Sequence, residues 1–225
     1  MKTNPAFEAL SADIVGCRRC PRLVDYRENV KAPPSLADQE WWRKPVPGFG
    51  DLGGNLLILG LAPARTGAER TGRIFTGDAS SRFLVSALYE AGYANKPVSE
   101  SRGDGLAYKG CYITAVVKCV PPGDRPLPEE FENCGSYLDA EVSLLPNLKG
   151  VLALGSSAFK SYIDHMKREG RGVRGLKFGH GVSRRLPDGL TIYASYHPSP
   201  RNTNTGKLTK PMLVSVLKRI RRELE

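Results

Sequence analysis

The sequence predicts an α/β fold: a mainly parallel sheet of four strands with helices on both faces. Three observations predict it. Four short apolar runs, each bounded by glycine, proline or polar residues, read as buried strands. Segments with helical spacing lie between those runs, which is the alternation that builds parallel sheets. The 225 residues suit one domain spanning 1–225, which at this length buries roughly 70% of its unfolded surface.

The elements follow in chain order. Residues 5–16 carry apolar side chains at helical spacing and stop on Gly16. Cys17-Arg18-Arg19-Cys20-Pro21 comes next, and residues 31–54, rich in Pro, Gly and Trp, read as irregular chain. Asn55–Gly60 is the first buried strand, followed by a polar, glycine-rich loop from Leu61 to Gly77. Asp78 caps a helix over about 79–92, with Phe83, Leu84, Ala87 and Leu88 on one face. Cys111–Val117 is the second strand, ended by Val120-Pro121-Pro122-Gly123. A helix runs from about Pro128 to Leu144, with proline in its first turn. Val151–Gly155 is the third strand, and Ser156 starts a helix to about Arg168. Residues 179–187 suggest a small hairpin, Thr191–Tyr196 is the fourth strand, and a last helix covers about Lys210 to Leu224.

In such sheets ligands bind beyond the carboxyl ends of the strands. That rule selects loops 61–78, 118–125 and 197–206, where the unusual residues also sit. No run of 18 apolar residues exists, so no transmembrane helix is expected. The N-terminus lacks the apolar stretch of a signal peptide, which predicts a cytoplasmic protein. The net charge of +10 and a pI near 9.5 favour a polyanionic partner such as nucleic acid.

The loop after the fourth strand holds His197, stiffened by Pro198 and Pro200, then Ser199, Arg201, Asn202, Thr203 and Lys207. A rigid histidine at a strand end can hydrogen-bond a reacting group while the polar residues hold phosphate oxygens. The loop after the first strand holds Arg65, Arg70, Arg73 and Phe75 and ends on Asp78. It fits phosphate binding with a stacking ring, although the Walker pattern is absent. The bland alternatives are a polar surface loop, a core phenylalanine, and an aspartate that only caps its helix.

Five cysteines in a chain without an export signal point to metal or redox chemistry rather than disulfides. They pair as Cys17-x2-Cys20 and Cys119-x14-Cys134. Four thiolates suit zinc or a [4Fe–4S] cluster. The wide second pair is unlike a zinc ribbon, and prolines close behind Cys20 and Cys119 favour iron–sulfur. Cys111 opens a buried strand and reads as a core thiol. Five unrelated buried cysteines are the remaining alternative.

Together these residues resemble the uracil-DNA glycosylase superfamily, specifically its iron–sulfur family 5, the UdgB type. The resemblance rests on Gly60-Leu61-Ala62-Pro63-Ala64, on residues 70–78 (RTGRIFTGD), on the four cysteines, and on residues 197–206 (HPSPRNTNTG). Family 4 carries an acidic residue where this chain has Leu61 and an asparagine where it has Ala115. The chain departs from its relatives at Asp124, a position that often holds asparagine.

The resemblance implies a three-layer α/β/α sandwich and a structural [4Fe–4S] cluster on Cys17, Cys20, Cys119 and Cys134. It implies a monomeric, nucleoid-associated, monofunctional glycosylase acting on single- and double-stranded DNA. Uracil is its first substrate, and hypoxanthine, xanthine and ethenocytosine are further ones. Asp78 and His197 would be catalytic. Leu61, Ala62, Phe75 and Asp124 would meet the base, and Arg65, Arg70, Ser199, Arg201, Asn202 and Thr203 the phosphates. No lysine nucleophile stands out, so β-lyase chemistry is not expected. The rival readings are a non-catalytic iron–sulfur nucleic-acid-binding protein, an electron carrier, and a hydrolase of small nucleotides.

Overall fold

A computed structural model describes residues 4–171 and 175–225. The chain begins with α1 (Pro5–Gly16), capped by the Asn4 side chain, which accepts from the Ala6 and Phe7 amides. A second short helix, α2 (Pro21–Asn29), follows the first cysteine pair, with Pro21 at its start. Then come β1 (Phe49–Gly50), β2 (Leu56–Gly60), the single-turn α3 (Ala68–Thr71) and α4 (Ala79–Glu90). The chain continues through β3 (Cys111–Ala115), α5 (Pro128–Ser143), β4 (Gly150–Leu154) and α6 (Ser156–Arg168). It ends with β5 (Ser183–Arg185), β6 (Thr191–Ser195), the single-turn α7 (Pro200–Thr203) and α8 (Lys210–Leu224).

Among the described residues the sheet has six strands in the order β1-β3-β2-β4-β6-β5, not four. The four expected strands are its parallel centre, β3-β2-β4-β6. The two extra strands are antiparallel edges of two and three residues. Neither carries an apolar run: β1 is Phe-Gly and β5 is the exposed Ser-Arg-Arg. Their pairing comes from neighbours rather than from their own sequence. The small hairpin expected within 179–187 is displaced: β5 supplies only one arm, and the other is β6, the fourth expected strand.

Side chains alternate across the sheet, as the pleat requires. Leu56, Ile58, Ile113, Leu152 and Tyr193 face α4 and α8, meeting Leu84, Leu88, Leu213 and Leu217. Leu57, Leu59, Tyr112, Val151 and Ile192 face the opposite layer, meeting Leu138, Phe159, Tyr162 and Ile163 of α5 and α6. Each such aliphatic burial stabilises the fold by about 1.5–3 kcal/mol. Both layers therefore hold the sheet rigid, and its carboxyl rim becomes a fixed platform.

A buried polar network anchors that rim near the second cysteine pair. Lys118 Nζ donates to Glu141 Oε2 at 2.5 Å and to Thr114 Oγ1 and the Ala115 carbonyl at 2.8 Å. Glu141 also accepts from Tyr112 and from the Gly48 amide. With both partners 1% exposed, losing either one costs about 3–5 kcal/mol. The network fixes the chain direction immediately before Cys119.

Candidate active site and cysteine cradle

At the carboxyl rim lies a cleft with a volume of ≈ 1030 Å³. The sheet extends one step beyond its strands there, because Val116 and Val117 donate to the Gly60 and Leu61 carbonyls. Leu61 and Ala62 thereby form part of the cleft wall, as does Phe75. Asp78 and His197 line it from different loops, and so do Asp124, Ser199, Arg201 and Asn202. The rim thus gathers nine of the twelve residues that the sequence placed in base, phosphate or catalytic roles.

Asp78 closes a reciprocal cap on α4. Its Oδ1 accepts from the Ser81 amide at 2.7 Å, and its own amide donates to Ser81 Oγ at 3.0 Å. The other oxygen, Oδ2, lies over Gly67, where an added Cβ would come within 2.1 Å of it. Only a residue without a side chain fits there. One carboxylate oxygen is therefore spent on the helix and the other is held at the cleft.

His197 follows β6, and its backbone carbonyl accepts from Asn202 Nδ2 at 2.8 Å. Gly155, at φ +93°, backs it: a Cβ there would meet His197 Cβ at 3.2 Å. The Phe75 ring lies 6.1 Å from the imidazole, tilted by 35°. Burial lowers the pKa of His197 from its usual 6.5, while the carboxylates of Asp78 and Asp124 act in the opposite direction. Desolvation wins, so the imidazole is neutral at pH 7 and presents one N–H and one lone pair. In a ¹H–¹⁵N NMR titration the His197 midpoint should fall below 6.5 and move lower still in Asp78→Asn. A midpoint above 6.5 would contradict this balance. A depressed pKa also means that the unfolded chain binds the extra proton first. Its contribution to stability is complete above pH 6.5 and is lost as pH falls toward the lower folded value.

The remaining residues sort by geometry. Asp124 stands exposed at the rim with φ +57°, next to Gly123 at +61°, in the turn after Cys119. Arg65 is exposed on the first loop, outside the cleft lining. Arg70 is turned inward: its guanidinium donates to the Thr66 carbonyl, Gln39 Oε1 and the Gly77 carbonyl at 2.9, 2.6 and 2.9 Å. That arrangement braces the loop. Thr203 likewise bonds within its own turn, to the Ser199 carbonyl.

Of the far wall of the cleft, the sequence pointed only to Lys207. Ser156 and Ser157 open α6 against it, and Phe178, Tyr196 and Lys207 complete it. Tyr196 stacks on His180 at 5.2 Å, and the Lys207 ammonium lies 4.9 Å from its ring. A helix start and a cation together favour an anionic ligand. The glycine before Ser156 was the one available signal for the rest.

The four paired cysteines line one small pocket beside the site. Cys20, Cys119 and Cys134 are buried together with Leu23 and Val117, and Cys17 is half-buried. N–H donors already aim at the sulfurs. Arg27 Nη1 donates to Cys119 Sγ at 3.1 Å and Asn133 Nδ2 to Cys20 Sγ at 3.4 Å, while the Lys118 backbone N–H reaches Cys134. Such donors favour thiolate over thiol. Burial pushes all three buried thiols up, Cys119 to about 12. Unligated, they would stay protonated. Among the described residues no three His, Cys, Asp or Glu side chains converge where one metal ion could sit. Four cysteine sulfurs in one pocket, with N–H donors aimed at three of them, fit a group held by thiolates, such as a [4Fe–4S] cluster or a zinc ion. Cys111 lies apart in the core against α4 and α8, and burial raises its thiol strongly.

Comparison with known proteins places this geometry. A model of the uracil DNA glycosylase superfamily matches residues 47–221. A type-5 uracil-DNA glycosylase of Pyrobaculum aerophilum is 45% identical over 92% of this chain and 88% of its own. One from Thermus thermophilus is 43% identical over 96% of this chain and 97% of its own. A type-4 enzyme of Thermotoga maritima is 31% identical over 86% of this chain and 81% of its own. The crystal structure of Pedobacter heparinus SMUG2 has the same fold, with a TM-score of 0.52 at 14% identity over 91% of this chain and 97% of that one.

Proposed function

The chain belongs to the uracil-DNA glycosylase superfamily, and from that premise we propose that it is a monofunctional iron–sulfur glycosylase, one domain acting as a monomer. It removes uracil and other deaminated bases from single- and double-stranded DNA and leaves an abasic site. The observation that carries the reading is the convergence on one cleft of Phe75 and Asp78, from the loop after β2, with His197, from the loop after β6.

The reaction follows from their chemistry. A base within the stack is unreachable, so the nucleotide must flip out, at a cost of a few kcal/mol that is smallest for mispairs. Phe75 stacks on the extruded base. Breaking the C1′–N bond leaves a cationic sugar and an anionic base. His197, neutral with an N–H, donates to the base oxygen on which negative charge grows. The free oxygen of Asp78 orients the attacking water, takes its proton as oxygen bonds to C1′, and offsets the sugar's charge. The apolar Leu61 and Ala62 impose no hydrogen-bond pattern on the base, which supports a broad range of deaminated substrates. Cys17, Cys20, Cys119 and Cys134 would hold the cluster, which ties α1 and α2 to the turn carrying Asp124.

The experiment is a release panel: uracil, hypoxanthine, xanthine and ethenocytosine in one DNA context. Uracil should be released fastest, with measurable release of at least one purine. Strict uracil specificity would overturn the breadth of this reading. Arg201, exposed at the rim, is the clearest phosphate contact. Arg201→Ala should weaken binding to all sequences alike and reduce the salt-dependence slope by about one. An unchanged slope would remove Arg201 from the contact set.

A further inference from the structure

Phe75 has φ +47°, a left-handed conformation that bulky residues adopt only where their surroundings enforce it. The enforcing groups are Arg73, Thr76, Ser99 and Asp104, none of which lines the cleft. Arg73, whose side chain is 4% exposed, makes a two-pronged pair with Asp104, at 2.9 and 2.8 Å. The same guanidinium donates to Thr76 Oγ1 at 2.9 Å and to Ser99 Oγ at 2.8 Å. The two hydroxyls are themselves 2.7 Å apart, and the Gly77 amide donates to the Ser99 carbonyl at 2.9 Å. The residues on both sides of Phe75 are thus bolted to the segment 99–106. Asp104 is held in turn by the amides of Glu100, Ser101 and Leu106. Burial opposes its ionisation, but Arg73 and these amides prevail and keep its carboxyl well below the usual range. The Arg73 guanidinium also covers the Phe49 ring at 5.0 Å.

A bulky residue in this conformation reverts if its flanks are freed, and its ring then leaves the base-stacking position. We propose that Arg73 and Asp104, acting through Thr76 and Ser99, are positioning residues that hold Phe75 in its stacking pose and set the rate of base release without setting affinity for DNA. The proposal rests on the glycosylase reading above, and it deepens that reading by locating the support of the stacking ring outside the cleft.

The test uses Asp104→Asn and the milder Ser99→Ala, each made with Phe75 intact and with Phe75→Leu. Single-turnover uracil release should fall about 100-fold in Asp104→Asn and about tenfold in Ser99→Ala, as expected for misplacement of a remote support. Affinity for undamaged duplex should stay within about twofold, since the phosphate contacts are untouched. On the Phe75→Leu background both losses should shrink to about twofold or less, because the element they act through is gone. A structural defect would persist on both backgrounds, so full losses with Phe75→Leu overturn the proposal, as does wild-type release in either variant. If Asp104→Asn does not fold, Ser99→Ala decides the matter. NMR contacts between the Phe75 and His197 rings in the free protein provide a readout independent of activity. They should weaken in Asp104→Asn or Ser99→Ala. Unchanged contacts overturn the clamp even if the wild-type protein releases no uracil, a result that would count separately against the glycosylase reading.

Discussion

Asp78→Asn should slow the release of uracil and of hypoxanthine by a similar factor, about 10²–10⁴ in single-turnover experiments. The fold should survive, because asparagine is as good a helix cap as aspartate and one oxygen remains to accept from the Ser81 amide. What disappears is the second carboxylate oxygen, the one held over Gly67. In the proposed mechanism that oxygen serves the water and the sugar, which are common to every substrate, so the loss should be uniform. His197→Ala should behave differently. In the proposed mechanism its N–H serves the departing base, so the cost, about 10²–10³, should be greater for poorer leaving groups. Single turnover is required because slow product release would mask bond breaking. Full activity of Asp78→Asn on both bases would reduce that residue to a cap and make Asp124 the alternative partner for the water.

Cys119→Ser should lose both the cluster and cooperative folding. Cys119 is 6% exposed and accepts from Arg27 Nη1, and in the proposed cluster a hydroxyl there would replace a sulfur ligand in a desolvated pocket. Metal binding free energy is folding free energy in such sites. Without the ligand, α1 and α2 lose their tie to the body. Cys111→Ser should keep the brown colour and about four iron atoms per chain, the content of a [4Fe–4S] group. Its penalty is only that of a buried hydroxyl, about 1–3 kcal/mol. Iron analysis and thermal melts of both variants check this. A colourless wild-type protein holding one zinc ion would contradict it.

The parallel centre of the sheet was legible because apolar runs such as Leu56–Leu59 signal burial by themselves. The long helices were legible for the same reason: α6 and α8 coincide with their expected spans, and α4 and α5 end within two residues of theirs. Elements made by their surroundings were not legible. Exposed β5 and two-residue β1 pair only because a neighbouring edge is there to receive them. Helix α2, between the cysteine pair and the irregular segment, was missed because its mean hydropathy carries no core signal and only Leu23, Val24 and Arg27 are buried. Asp78 and His197 could be read from their motifs at loop ends. Lys207 could be read from the same loop as His197, but its neighbours in the far wall, Phe178 and Tyr196, could not, since they meet it only through the tertiary fold. Arg70 illustrates the converse limit. Its charge suggested a phosphate contact, but its donors bond to nearby carbonyls and to Gln39, which sequence spacing does not reveal.

The central claim is that this cleft breaks the glycosidic bond rather than merely holding DNA. The direct measurement is chromatographic identification of the products when the purified protein meets a duplex containing one uracil opposite guanine. Free uracil and an intact strand that breaks only on alkali treatment are expected in equal amounts, with neither product from Asp78→Asn within the same time. Tight binding of that duplex with no free base would contradict it and leave a protein that recognises DNA without repairing it.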